Sequence, residues 1–259
     1  MKKQLLNVVG LIALFAASST YSAQAATLFS DNFDSYANGA LATTVTGVTV
    51  ANFNGTDSAT ISNAQALSGA NSIRYTSDAA GAPDLNFNFA SAVTFATTNM
   101  DISFSFQKVG DSYNPDMWVM FGGPNTGFAN GNIALQSNGL NNFFDNANPG
   151  GGGFQFLGQG ANWQTVNVAY TFTNNGTNIT GYTADFTTSG GANSPTFSVT
   201  KTGLNIASID SLRFQFRGAA AGDVYLDNVS ITAIPEPSTY ALLALGLGAL
   251  FFLRRRRAA

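Results

Sequence analysis

Through the middle of this 259-residue chain, apolar residues recur at every second position, and any fold it adopts must satisfy that period. The runs are Leu85-x-Phe87-x-Phe89, Ile102-x-Phe104-x-Phe106, Phe154-x-Phe156, Val166-x-Val168-x-Tyr170-x-Phe172 and Leu212-x-Phe214-x-Phe216. Ser, Asn, Gln and Arg stand between the apolar positions. A period of two puts one set of side chains on each face of a strand, so every run predicts a strand with one buried face. Asn54-Gly55, Asn138-Gly139 and Asn175-Gly176 supply turn signals at short intervals, and no segment of the body holds a helical period. The reading is an all-β antiparallel β-sandwich, jelly-roll-like. No internal repeat is present, which argues against a solenoid. Asp116-Met117-Trp118-Val119-Met120-Phe121 carries apolar residues on both parities and reads as a central strand covered on both sides.

The two termini do not share this pattern. Met1-Lys2-Lys3, an apolar stretch from Leu5 to Ala17, and Ala23-Gln24-Ala25 form the three parts of a secretory signal peptide, predicting a signal helix with cleavage after Ala25. At the other end, Pro235-Glu236-Pro237 breaks regular structure. The uncharged run Tyr240 to Leu253 follows, and then Arg254-Arg255-Arg256-Arg257. As a helix the run would reach about 21 Å, short for a hydrocarbon core of about 30 Å, and is read as a short transmembrane helix. The arginines stop it on the cytoplasmic side.

In this order and position, these three elements closely resemble the PEP-CTERM sorting signal. The resemblance covers residues 234–259 and implies a Gram-negative exopolysaccharide producer. It also implies that a membrane protease, an exosortase, processes the tail near the Pro-Glu-Pro motif and delivers the protein to the cell surface or extracellular matrix. The expected organisation is 1–25 signal peptide, 26–233 β-sandwich and 234–259 sorting segment. The expected partners are the exosortase, the secretion machinery, the inner membrane before processing, and exopolysaccharide.

Removing both ends leaves a body with five basic residues, Arg74, Lys108, Lys201, Arg213 and Arg217, against 13 aspartates, a net charge of −8. Such a surface repels nucleic acid, so no nucleic-acid partner is expected. The body contains no cysteine, histidine or glutamate. That removes disulfides, thiolate nucleophiles, the usual general bases and any zinc site, and no catalytic residue is assigned. An aspartate-based polysaccharide hydrolase or lyase is the competing reading, with Asp111, Asp116 and Asp145 the acids near the aromatic middle. A self-assembling surface protein is a third reading.

Two stretches suggest sites. Asn141-Asn142-Phe143-Phe144-Asp145-Asn146, leading into Pro149 and Gly150 to Gly153, reads as a loop. Its Asn142, Phe144 and Asp145, with Trp163 at a strand start, offer amides and aromatics for saccharide hydroxyls and ring faces; the bland alternative is that these rings pack into the core. Leu28-Phe29-Ser30-Asp31-Asn32-Phe33-Asp34-Ser35-Tyr36 and Asp223-Val224-Tyr225-Leu226-Asp227-Asn228-Val229-Ser230-Ile231 resemble the first and last strands of jelly-roll carbohydrate-binding modules and concanavalin-like domains. In those folds the two strands lie side by side, and a structural calcium often sits near one end. The resemblance implies Asp31 and Asp227, then Asp34 and Asp223, as calcium ligands, with carbonyls or water completing the shell. Otherwise these aspartates cap strand ends. Val224 and Leu226 fall on one parity and Val229 and Ile231 on the other, which predicts a β-bulge at Asp227-Asn228.

Overall fold

From Gln164 to Phe172 every second residue of the strand is buried, as the alternation requires. At its end the chain reverses through an Asx turn. Asn175 Oδ1 accepts the N–H groups of Thr177 (3.1 Å) and Asn178 (2.9 Å), and Gly176 takes φ +85°. The next strand returns in register, with Val166 opposite Thr188 and Phe172 opposite Tyr182.

The structure is a computed structural model that describes residues 25–51, 57–77, 84–109, 116–124, 133–136, 142–145, 155–156, 162–190, 196–217 and 222–235. In chain order the strands are β1 (Ala26–Asp31), β2 (Val48–Ala51), β3 (Ser58–Ser62), β4 (Ser72–Ser77), β5 (Asp84–Thr94), β6 (Thr97–Val109), β7 (Asp116–Gly122), β8 (Ile133–Gln136), β9 (Asn142–Asp145), β10 (Gln155–Phe156), β11 (Gln164–Asn174), β12 (Ile179–Ser189), β13 (Thr196–Ile206), β14 (Ser208–Arg217) and β15 (Gly222–Pro235). They form an eight-stranded sheet in the order β13-β12-β11-β6-β15-β4-β3, with β1 also paired to β15, and a seven-stranded sheet in the order β10-β9-β8-β7-β14-β5-β2. The molecule is the expected antiparallel β-sandwich, and its first and last strands lie side by side. The signal segment, Asn54-Gly55, Asn138-Gly139, Asp111, Pro149 to Gly153 and everything from Glu236 onward, including Arg254 to Arg257, lie outside the described residues. Among the described residues, no helix is long and apolar enough to cross a membrane.

Aromatic rings join the sheets. Phe29 and Phe104 from the eight-stranded sheet interleave with Phe87 and Phe214 from the other, at centroid distances of 5.0 Å (Phe29–Phe87), 5.3 Å (Phe87–Phe214) and 5.0 Å (Phe104–Phe214), all edge-on. A second group places Phe121 of β7 against Tyr170 (5.1 Å) and Tyr182 (6.2 Å). Edge-to-face contact sets the positive ring rim against the negative face and adds to the burial term. Val119, Met120 and Phe121 are buried in succession on β7, which runs between β8 and β14, so its C-terminal half places apolar side chains out of solvent on both parities.

Two further points concern the sites. Val224, Leu226, Val229 and Ile231 are all buried although their parities differ, and the step falls at Asn228, whose φ of +51° is left-handed. Asn tolerates that region better than most residues. The reading of residues 141–146 as loop is corrected: Asn142–Asp145 form β9, paired with β8 and β10. Two adjacent aromatics are good strand formers, and the glycines that suggested a loop begin only at Gly150.

Phe214 contacts both Phe87 and Phe104, so Phe214→Ala opens a cavity at the seam of the two sheets. It is expected to cost about 3–5 kcal/mol, read as a lower chemical-denaturation midpoint at unchanged slope.

Candidate functional site

The alternation that sends Leu212 and Phe214 inward sets Arg213, Gln215 and Arg217 on the opposite parity of β14. Neighbouring strands complete this non-core face. In the ladder Asn86 and Met120 flank Arg213, Asp84 and Trp118 flank Gln215, and Asp116 stands opposite Arg217. The polar groups lock together. Arg213 Nε donates to Asn86 Oδ1 (3.0 Å), Gln215 Nε2 donates to Asp84 Oδ1 (2.9 Å), and the Arg213 guanidinium stands 3.7 Å from Asp84 Oδ2. Asp84 is only 2% exposed and Gln215 6%, while the Arg213 side chain keeps 41% of its surface. A buried carboxylate is tolerated only where charge and hydrogen bonds compensate it, and its two neighbours supply both. The arginine is thereby held in one orientation with part of its donor fork toward solvent.

The same rows continue across the sheet. Gln215, Trp118, Ala134 and Phe144 are successive register partners, and Asn142 is paired with Gln136 and Phe156. Of the residues expected to contact saccharide, Phe144 therefore falls in the row that carries Gln215, and Asn142 stands two positions along β9 from it, on the same parity. Asp145 falls in the intervening row, opposite Ile133 and in line with Val119 and Phe214. Trp163 is partly exposed on the other sheet, just before β11. There Gly190, at φ +88°, packs so closely on the Trp163 carbonyl that a Cβ would approach it to 2.4 Å. Sequence reasoning missed Asp84, Asn86, Arg213 and Gln215. The signal was present in the polar half of the β14 alternation.

The four aspartates expected to bind calcium do not form one cluster. Asp223 pairs with Arg74 (2.8 Å) and accepts from the Thr76 hydroxyl (2.7 Å). Asp227 and Asp34 organise the loop before β4, and Asp31 the turn that follows β1. Asp227, fully buried, accepts the N–H groups of Leu67 (2.9 Å) and Ser68 (3.2 Å) on Oδ2 and of Asn228 (2.7 Å) on Oδ1. Asp34 Oδ1 accepts from Ala70 (2.6 Å) and Asn71 (3.0 Å). Asp31 accepts the Phe33 N–H (2.6 Å) and the Tyr36 hydroxyl (2.9 Å). Each carboxylate faces donors, and a donor hydrogen occupies the place a cation needs. Among the described residues, no group of three acidic, histidine or cysteine side chains could hold a metal ion. This arrangement does not fit calcium. Burial pushes the Asp227 carboxyl above the ordinary aspartate range, with the three N–H donors opposing and the Asp34 charge reinforcing that shift.

Comparison with known proteins bears on both parts of the chain. Residues 233–257 match the family model of the PEP-CTERM protein-sorting motif. The chain carries that sorting signal, which marks an exported protein, anchored in the membrane before processing, that an exosortase sorts to the cell surface. A search of curated proteins gives no significant match. The fold is similar to that of alginate lyase Aly36B, solved with an alginate trisaccharide (TM-score 0.53, 15% identity, 79% of this chain and 97% of that one). It is also similar to a lectin from Bauhinia forficata in complex with GalNAc (0.47, 10%, 82% and 98%) and to the CBM22-1 xylan-binding domain of Paenibacillus barcinonensis Xyn10C (0.34, 13%, 81% and 96%). At 15% identity the likeness to Aly36B bears on the fold alone.

Two outcomes are expected at the aspartate loop. Calcium and chelator leave the thermal midpoint of the purified body unchanged; a rise of several degrees with calcium would show that the loop re-forms around the ion. The raised Asp227 value also means that its contribution to stability is full below the unfolded pKa, about 3.9. That contribution is lost as pH rises through the higher folded value. Asp227→Asn is expected to remove this part of the pH dependence, measured as denaturation midpoints across acidic to neutral pH.

Proposed function

We propose that this chain is a noncatalytic exported protein of the cell surface and extracellular matrix whose sandwich binds saccharide of the exopolysaccharide and supports biofilm or floc formation. In this reading, residues 1–25 are removed on export and residues 234–259 are the segment the exosortase processes. The observation that carries the binding half is the Arg213–Asp84–Gln215–Asn86 network on the non-core face of the seven-stranded sheet. It is a rigid set of amide and guanidinium donors on paired strands, with Asn142, Phe144 and Trp118 in the adjoining register rows. Fixed donors suit sugar hydroxyls and carboxylates because little side-chain freedom remains to be lost on binding. The alginate trisaccharide held by a chain of the same fold supports the ligand class. Asp84 is the single carboxylate of this network and is held by Arg213 and Gln215, so what the network offers a ligand is hydrogen-bond donors.

The test is retention of the purified body on polysaccharide from the producing organism, alongside an assay for released reducing ends or unsaturated products. Retention without product is expected. Arg213→Gln is expected to weaken retention about tenfold, as for a central interface arginine, and to lower the thermal midpoint because the buried Asp84 loses its compensating charge, so retention is compared below the variant's own midpoint. Product release would overturn the noncatalytic reading. Undiminished retention by the variant would remove this face from the binding site.

A further inference from the structure

Alternation has the same consequence on β4 as on β14. Ile73 and Tyr75 are fully buried, so Arg74 and Thr76 stand on the other parity, on the non-core face of the eight-stranded sheet. The adjoining strands complete two rows there. Thr60, Arg74 and Tyr225 are successive register partners, and so are Ser58, Thr76 and Asp223. Leu41 extends the first row through its bridge to Thr60, and it is 61% exposed.

The polar groups of these rows are tied together much as those around Arg213 are. Arg74 Nη2 stands 2.8 Å from Asp223 Oδ2, the Thr76 hydroxyl donates to Asp223 Oδ1 (2.7 Å), and the buried Tyr225 places its hydroxyl 3.5 Å from Asp223 Oδ2. The Arg74 side chain keeps 42% of its surface, against 41% for Arg213. Each non-core face therefore carries an arginine clamped by a carboxylate of the neighbouring strand, with part of its donor fork in solvent. Arg74 Nε is shielded from water and has no acceptor among the described residues. A shielded donor without an acceptor calls for an explanation, and an oxygen of a bound ligand supplies one.

We propose that Arg74, with Leu41, Thr60 and Thr76 beside it, is a second site for acidic saccharide, so that one sandwich holds two polymer chains. This rests on the reading of the Arg213 face as a saccharide site. The ligand class follows from the donor: a guanidinium fork with free N–H groups matches the two oxygens of a sugar carboxylate. The Thr60 hydroxyl suits a ring hydroxyl, and Leu41 suits the apolar side of a sugar ring. That two chains are held follows from the layers. β4 and β14 belong to different sheets, packed about 10 Å apart, and their arginines stand on the two outer faces. A polymer lying along one face does not reach the other. Two like sites on one rigid body turn binding into cross-linking, and a polymer gripped by several bodies is held more firmly than by any single contact.

The test is calorimetric titration of the full-length chain, in detergent micelles, with an alginate trisaccharide. Salt at about 0.15 M, with a screening length of about 8 Å, damps repulsion between this anionic probe and the acidic body. The parent is expected to take about two trisaccharides per chain, Arg74→Gln and Arg213→Gln about one each, and the double variant none. Each variant is titrated below its own denaturation midpoint. Arg74→Lys keeps a cation beside Asp223 but loses the planar fork, and is expected to weaken one of the two sites about tenfold with a midpoint close to the parent's. One trisaccharide per parent chain, lost in Arg213→Gln and untouched by Arg74→Gln, would overturn the second site and leave the Arg213 reading standing. Two per chain in both parent and Arg74→Gln would also overturn it. No binding to the parent would overturn both readings.

Discussion

The edge-on contact between Phe104 and Phe214, 5.0 Å apart, is where the two sheets of this molecule meet, and the rest of the architecture hangs from it. With no cysteine in the chain, nothing covalent braces the sandwich. Cohesion comes from interleaved rings and the aliphatic residues around them. A strand that supplies such a ring must alternate strictly, and alternation fixes what its other face can carry. β14 shows the coupling: the same register that sends Phe214 into the seam sets Arg213 and Gln215 on the outside, in reach of Asn86 and Asp84 on β5. The candidate binding face is thus the reverse side of the core.

The aspartates illustrate two uses of the same side chain. Around residues 67–71 the chain makes a tight excursion whose N–H groups find no strand partner, and Asp227 and Asp34 accept four of them. A buried N–H without an acceptor is costly, so these carboxylates do work that a sheet ladder does elsewhere. The left-handed turns at Phe33 and Asn228 serve the same end, bringing Asp34 and Asp227 up to the loop from strands far apart in sequence. Asp223, only four residues before Asp227, is committed instead to Arg74 across the strand pair.

Much of this was legible in the sequence because it depends on parity. The sandwich, the central character of β7 and the change of buried face at Asp227-Asn228 could be read from which residues alternate, whereas the pairing of the first strand with the last was implied by the resemblance to jelly-roll carbohydrate-binding modules. What could not be read was tertiary. Nothing local tells that Arg74 will meet Asp223 or that Leu67 will donate to Asp227, 160 residues away. The reading of Asn141 to Asn146 as loop failed because the glycines beyond it outweighed a short aromatic pair. Arg213 was passed over because an arginine between apolar residues looks like an ordinary solvent-facing position. Only the neighbouring strand, with a buried Asp84, reveals otherwise.

The position of β15 has a consequence for how an exported chain acquires this shape. It is the last strand made, yet it lies inside its sheet, between β6 and β4 and paired also with β1. A chain delivered from its N-terminus onward presents β1, β4 and β6 long before the strand that joins them. Until Gly222 to Pro235 emerge, the larger sheet is three pieces, β13-β12-β11-β6, β4-β3 and β1, and closing it joins residues some two hundred positions apart, a slow kind of contact to form. Folding of the sandwich is therefore completed only when nearly the whole body has been delivered, and every earlier state leaves the edges of those pieces open.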